Sequence, residues 1–166
     1  SFAINFAISG LQVWSYHAVN LLIHLWAALL LYGIARRTFL EDPLRERCAA
    51  SAVWLALGTS LLWTLHPLQT QSVTYITQRA ESLMGLCYFL TLYCVIRGAH
   101  AAAPRGWYEA AILSCAVGMA SKQAMVTAPL VVWSYDRTFL SGSFRHALRQ
   151  RWPLYIGLAT TWMLLA

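Results

Sequence analysis

Twenty consecutive residues, Tyr16–Ala35 (YHAVNLLIHLWAALLLYGIA), carry no Asp, Glu, Lys or Arg, and Arg36 and Arg37 follow at once. An apolar run of about 20 residues is what a helix needs to cross a hydrocarbon core. In lipid every backbone N–H and C=O must be paired within the protein, so only helices and closed barrels span. The run is one of a series: Ala49–Leu65, Glu81–Ile96, Trp107–Ala120, Ala124–Trp133 and Leu154–Ala166 are also apolar. Composition agrees, at 59% hydrophobic and 11% charged, against about 45–50% and about 25% in soluble domains. The expected fold is all-α, a polytopic transmembrane helical bundle of about six membrane helices that includes a short hairpin.

The segments between the runs set the domain plan. Ser1–Ser15 is too short to span and Gly10 interrupts it, so residues 1–15 are expected to lie at the interface, anchored by Trp14 and Tyr16. Residues 16–166 are expected to form one helical domain. Pro43 breaks the charged loop after the first run, and His66-Pro67 closes the second. SVTYIT alternates like a strand, but a lone strand would leave backbone groups unpaired, so a surface loop leading into a short helix is expected. Ser121-Lys122-Gln123 divides two runs too short to span singly. Fourteen helical residues reach about 21 Å, so Lys122 is expected at a hairpin tip below the surface, facing a wet cavity. The alternative is one long helix, against which Pro129 argues. Tyr135-Asp136-Arg137 is expected to close the hairpin. The chain opens without Met and ends in an apolar run, so a fragment cut at both ends is expected.

The net charge of +6 and pI near 9.5 do not indicate nucleic acid, because the arginines occupy separate short loops rather than one face. When loops are assigned alternately to two sides, only Arg79 and Lys122 of the twelve basic residues fall on the side of the His66–Ser82 loop. The positive-inside rule makes the arginine-rich side cytoplasmic and the His66–Ser82 loop and Lys122 extracytoplasmic. The expected location is a bacterial inner or plasma membrane, or the endoplasmic reticulum. The four cysteines, Cys48, Cys87, Cys94 and Cys115, form no CxxC pair and read as small apolar packing residues.

Polar groups held between membrane helices are costly and tend to mark sites. Arg79 and Lys122 are suited to hold a phosphate, Arg through a fork of hydrogen bonds and Lys as a point charge, with His66 as a third donor. The alternative for Arg79 is pairing with Glu81 or snorkelling to ordinary lipid. Glu81 either orients Arg79, acts as a base, or simply favours the first turn of its helix. His17, Asn20 and His24 form a polar stripe on the first helix, suited to hydrogen bonds between helices or to lining a cavity; metal binding lacks further ligands. Gln69, Thr70, Gln71 and Gln78 suit a sugar or a solvated loop. No hydrolytic triad or glycine-rich nucleotide loop is present.

Three segments, YHAVNLLIHLWAALLLY, LHPLQTQSVTYITQRAESLMGLCYFLTLY and MASKQAMVTAPLVVWSYD, resemble the multispanning part of the transmembrane-and-tetratricopeptide-repeat proteins. These belong with the protein O-mannosyltransferases in the GT-C glycosyltransferase class. The resemblance covers roughly Ser1 to Arg137. It implies transfer of a sugar from a polyprenyl-phosphate carrier, the lipid-linked donor, to a protein or lipid acceptor outside the cytoplasm, with or without a divalent metal. By that analogy Arg79, Lys122 and His66 are carrier-phosphate ligands, and Glu81, Gln78, His17, Asn20 and His24 line the cavity. The class places its catalytic acid just after its first spanning helix, upstream of this segment. No Asp precedes Asp42, which falls on the cytoplasmic side, so this segment alone is expected to be inactive. Two other classes fit the outer cations: a transporter or flippase of a lipid-linked anion, and a non-catalytic membrane anchor or assembly subunit.

Overall fold

The computed structural model describes residues 10, 13–42, 44–69, 75 and 78–164. Among them there is no strand. Seven helices carry the architecture: α1 (Val13–Thr38), α2 (Ala52–Thr64), α3 (Arg79–Ala99), α4 (Arg105–Ser121), α5 (Ala128–Tyr135), α6 (Phe144–Gln150) and α7 (Trp152–Thr160). Single turns and 3-10 segments join them, including Arg45–Cys48, Ala49–Ser51, Pro67–Gln69, Gln123–Thr127 and Thr161–Leu164. Most of the expected interfacial segment 1–15 lies outside the described residues, while Val13–Ser15 form the first turn of α1. The expected loop at SVTYIT also lies outside them, except Tyr75.

Among the described residues two helices, α1 and α3, are long and apolar enough to cross a membrane. Their 26 and 21 residues reach about 39 and about 31 Å, against a core of about 30 Å. Three of the other runs are shorter as α-helices than the sequence suggests, with 13 residues in α2, 8 in α5 and 9 in α7, whereas α4, at 17 residues, is longer than its run. Each of the three shorter helices continues into a 3-10 or π-helical segment at one end or both. The run after Lys122 is 3-10 from Gln123 to Thr127, α to Tyr135, then π-helical over Asp136–Ser141. The expected stop at Tyr135-Asp136-Arg137 is therefore absent. Asp136 is fully buried and hydrogen-bonded, so it extends the helix instead of ending it at solvent. Gly142 stops the run, at a φ of +69° that favours glycine.

The faces that meet follow from small residues at helical spacing. The buried positions of α1 include Asn20, Ile23, His24, Ala27 and Ala28, a stripe with the period of one helix face. α2 buries Ala52, Ala56 and Ser60, a row four residues apart that lets two backbones approach. Ser60 Oγ donates to Ala28 O at 2.7 Å across this contact. On the far side of α3, Ser114 Oγ of α4 donates to Cys87 O at 3.0 Å. The main core gathers Cys87, Val95, Cys115, Met125, Val132 and Leu158 from α3, α4, α5, α7 and the segment joining α4 to α5. All four cysteines are free thiols, and Cys87, Cys94 and Cys115 are buried.

Gly98 marks a close approach against rigid rings. A Cβ there would stand 2.5 Å from Tyr108 Cε1 and 3.1 Å from Trp107 Cβ, whereas one at Gly118 would meet only the flexible end of Met125 at 2.8 Å. Overpacking a rigid neighbour costs about 1–3 kcal/mol. Gly98→Ala is therefore expected to lower the melting temperature of the full-length protein in detergent, and Gly118→Ala to lower it less. Equal shifts would remove the argument from ring rigidity.

Contacts along the helices give their directions. Asn20 of α1 meets Arg79 of α3, and Gly33 lies against Tyr93, so α1 and α3 run parallel. His24 contacts Thr64 O and Ser60 contacts Ala28, so α2 runs back along α1, antiparallel to it. α4 reverses α3, and the chain turns again at Lys122. All basic residues except Arg79 and Lys122 consequently sit at one end of the bundle. Those two sit at the other.

Candidate functional site

The chain reverses at Lys122, whose backbone is extended (φ −159°, ψ 143°) between α4 and the 3-10 turn. Its N–H donates to Gly118 O at 3.1 Å, and its carbonyl accepts from Met125 N at 3.2 Å. This is the hairpin tip expected from the split apolar run. The side chain is exposed, and its Nζ donates to Glu81 Oε1 in the first turn of α3.

Glu81 also lines a cavity of about 210 Å³ with His24, Trp63, Gln69, Ser82 and Gly85. α1, α2 and α3 each supply part of the wall. His24 is buried, with its ring stacked on Trp63 at 4.9 Å and its Nε2 3.2 Å from Thr64 O. Trp63 meets Phe89 edge-on at 5.5 Å, which holds the indole at the wall. The cavity thus combines an aromatic face, a carboxylate, an amide and a hydroxyl, with a cation at its rim.

Arg79 is only two residues from Glu81 but faces another way. It is 1% exposed. Its Nε donates to Asn20 Oδ1 at 2.9 Å and its Nη2 to Tyr16 O at 3.1 Å, with the guanidinium 5.4 Å from the Tyr16 ring centre. Asn20, fully buried, also donates through Nδ2 to Tyr75 O at 3.4 Å. Arg79 and Asn20 therefore bind the start of α3 to the start of α1 and to the loop between α2 and α3. His66 is exposed; its Nδ1 accepts from Leu68 N at 3.2 Å, and it borders a different, apolar depression with Gly58, Leu61 and Leu62. Arg79, Lys122 and His66 share one end of the bundle but not one set of surroundings.

Of the residues expected to line a cavity, His24 and Glu81 do so here. Asn20 is committed to the Arg79 contact, Gln78 is half-buried at the start of α3, where its carbonyl accepts from Ser82 Oγ at 3.3 Å, and His17 is half-buried on α1. Trp63 and Ser82 were not among the residues singled out in the sequence. Trp63 stands there within an apolar run, and only the packing of α2 against α1 turns it inward. Among the described residues no group of three or more His, Cys, Asp or Glu side chains is placed to hold a metal ion.

Removing Asn20 tests the inner tie. Asn20→Leu takes from Arg79 a buried hydrogen bond to a charged group, worth about 1.5–3 kcal/mol. A clear drop in thermal stability of the full-length protein is expected, and an unchanged melting curve would show that the tie contributes nothing.

Residues 2–166 match the family of dolichyl-phosphate-mannose-protein mannosyltransferases. The chain belongs to that family. Curated relatives agree. Protein O-mannosyl-transferase Tmtc2 of Drosophila melanogaster is 31% identical over 142 residues, covering 82% of this chain and 14% of its own length. Protein O-mannosyl-transferase TMTC2 of Homo sapiens is 31% identical over 140 residues, covering 82% of this chain and 15% of its own length. Protein O-mannosyl-transferase Tmtc3 of Drosophila melanogaster is 32% identical over 103 residues, with 53% of this chain and 10% of its own length covered. The chain thus spans about a seventh of the length of the first two relatives. No solved structure matches it. The membrane glycosyltransferase class implied by the quoted motifs is the class to which the chain belongs.

Proposed function

We propose that this chain is part of a protein O-mannosyltransferase that moves mannose from a polyprenyl-phosphate carrier to an extracytoplasmic protein acceptor, and that the Lys122 end receives the carrier's sugar phosphate. The observation that carries this reading is the cavity of Trp63, His24, Gln69, Glu81 and Ser82, with Lys122 paired to its Glu81 rim. An aromatic face with hydrogen-bonding groups around it suits a sugar ring, and a cation at the rim suits the phosphate that leaves with negative charge.

The roles differ among the polar residues. Lys122 is the phosphate ligand. Its pair with Glu81 has side chains 43% and 47% exposed, and so exposed a pair holds only about 0–1 kcal/mol; a phosphate can take Lys122 from it. Glu81 then turns to a sugar hydroxyl. Arg79 is a positioning residue that fixes the start of α3 on α1 and so the placement of Glu81. His66 lies at the loop where a carrier phosphate would enter. In this reading the arginine-rich end is cytoplasmic, the Lys122 end faces the lumen or exterior, and the shorter helices complete a six-helix membrane bundle in the whole protein.

The test is transfer from lipid-linked mannose by the full-length protein. Trp63→Ala is expected to raise KM for the donor about tenfold, a change of about 1.4 kcal/mol, while Trp63→Phe keeps most of the affinity. An unchanged KM in Trp63→Ala would remove the sugar from this cavity.

A further inference from the structure

The opposite end of the bundle carries a second built feature that the donor reading does not use. Between α1 and α3 runs a groove of about 500 Å³, lined by Trp26, Leu29, Leu30, Gly33, Arg36 and Tyr93 and reaching Arg37 and Leu40. Its volume is in the range of ligand clefts, about 300–1,000 Å³. Arg37 and Leu40 also line an adjoining depression of about 350 Å³ with Glu41, Arg45 and His100. The two share Arg37 and Leu40 in their walls, so the lining changes from apolar at Trp26 to cationic at Arg36, Arg37 and Arg45.

The charges are disposed for an anion. Glu41 is the acid in this lining, and His100 Nε2 holds its carboxylate at 2.6 Å. Arg37 lies over the Tyr93 ring at 5.6 Å, which fixes it at the junction of the two parts. Glycine at position 33 is what lets Tyr93 form the floor, since a Cβ there would stand 2.8 Å from Tyr93 Cε2. From Trp26 to Arg37 the helix rises about 16 Å, so an apolar chain lying along α1 ends where the cations begin. Lys and Arg at a membrane surface attract anionic lipid heads, and long apolar walls below them suit an acyl chain.

We infer that this groove is a binding site for an anionic phospholipid, its phosphate on Arg36 and Arg37 and one acyl chain along Trp26, Leu29 and Leu30. The site is at the end of the bundle away from Lys122, so it is independent of the carrier site. An intervening protein segment or a bare phosphate ion are the other occupants, and the test separates them.

The full-length protein is stripped of lipid in detergent, and native mass spectrometry follows its retention of dioleoyl phosphatidylglycerol and of dioleoyl phosphatidylcholine, which share the same chains. Phosphatidylglycerol is expected to be retained preferentially. Arg36→Gln with Arg37→Gln is expected to weaken that retention about 10- to 30-fold, whereas Arg36→Lys with Arg37→Lys retains it. Leu30→Trp, which fills the apolar part, is expected to reduce both lipids. The proposal fails if the Gln variant keeps phosphatidylglycerol as the wild type does, or if the Lys variant loses it as fully as the Gln variant. It fails equally if inorganic phosphate displaces the lipid at matched concentration, or if Leu29→Cys cross-links to another segment of the protein in place of reacting with a lipid-borne probe.

Discussion

Lys122→Ala in the full-length protein is expected to lower mannose transfer by about 10²–10³-fold, the loss typical of removing one preorganised donor from a developing negative charge. Folding should barely change, because the contact given up is an exposed ion pair worth about 0–1 kcal/mol. The swap Lys122→Glu with Glu81→Lys separates function from packing. It preserves the ion pair between α3 and the hairpin tip but places the cation on α3, two residues from Arg79. If Lys122 serves only to fasten the hairpin, the swapped protein transfers mannose normally. If Lys122 holds the phosphate and Glu81 a sugar hydroxyl, transfer stays low although the melting temperature is kept. Initial rates with lipid-linked mannose, read beside melting curves, decide between the two, and wild-type rates in Lys122→Ala would end the phosphate role.

Loss of Arg151 is expected to be the most destabilising single change at the other end. Asp136 is fully buried, and Arg151 Nη1 donates to its Oδ1 at 2.6 Å. Ser141 Oγ and Tyr155 OH each donate to the same carboxylate at 2.6 Å, and Arg151 Nε donates to Tyr108 OH at 3.2 Å. The cluster joins α4, the π-helical segment and the start of α7. Removing one partner of a buried pair costs about 3–5 kcal/mol, because the other charge is left uncompensated, whereas replacing both by apolar residues is often neutral. Arg151→Met should therefore sharply lower the melting temperature or the yield of folded protein. Asp136→Leu together with Arg151→Met should recover most of the loss. A double variant no better than the single one would show that hydrogen bonding, rather than charge balance, holds this corner.

Asp136 shows where reading along the chain stops being informative. Beside Arg137 it looks like the charged close of a hairpin, and nothing nearby announces a partner fifteen residues on. Its burial depends on α7 returning alongside α4, which brings Arg151 and Tyr155 to it. Lys122 behaves differently. Two apolar runs too short to span, separated by one lysine, already imply a reversal, and the reversal is there. Arg79 lies between these cases. Its cost in an apolar setting singles it out, but its direction depends on which face of α3 meets α1. Asn20 and the Tyr16 carbonyl take it inward, while Glu81 two residues later turns toward Lys122.

The positions of the long helices, the family and the segregation of arginine to one end were determined by the sequence alone. The family follows from sequence similarity; the helices and the arginines follow from a local rule, since runs without charge must hide their backbone from lipid and charged segments must lie at the ends of those runs. What only the tertiary structure decided was which faces pair. The cavity at Trp63 and Glu81, the inward turn of Arg79 and the buried Asp136–Arg151 corner all join side chains from separate helices. Rotation of a helix about its axis leaves its apolar run unchanged but redirects every side chain, so those meetings are set by packing between helices.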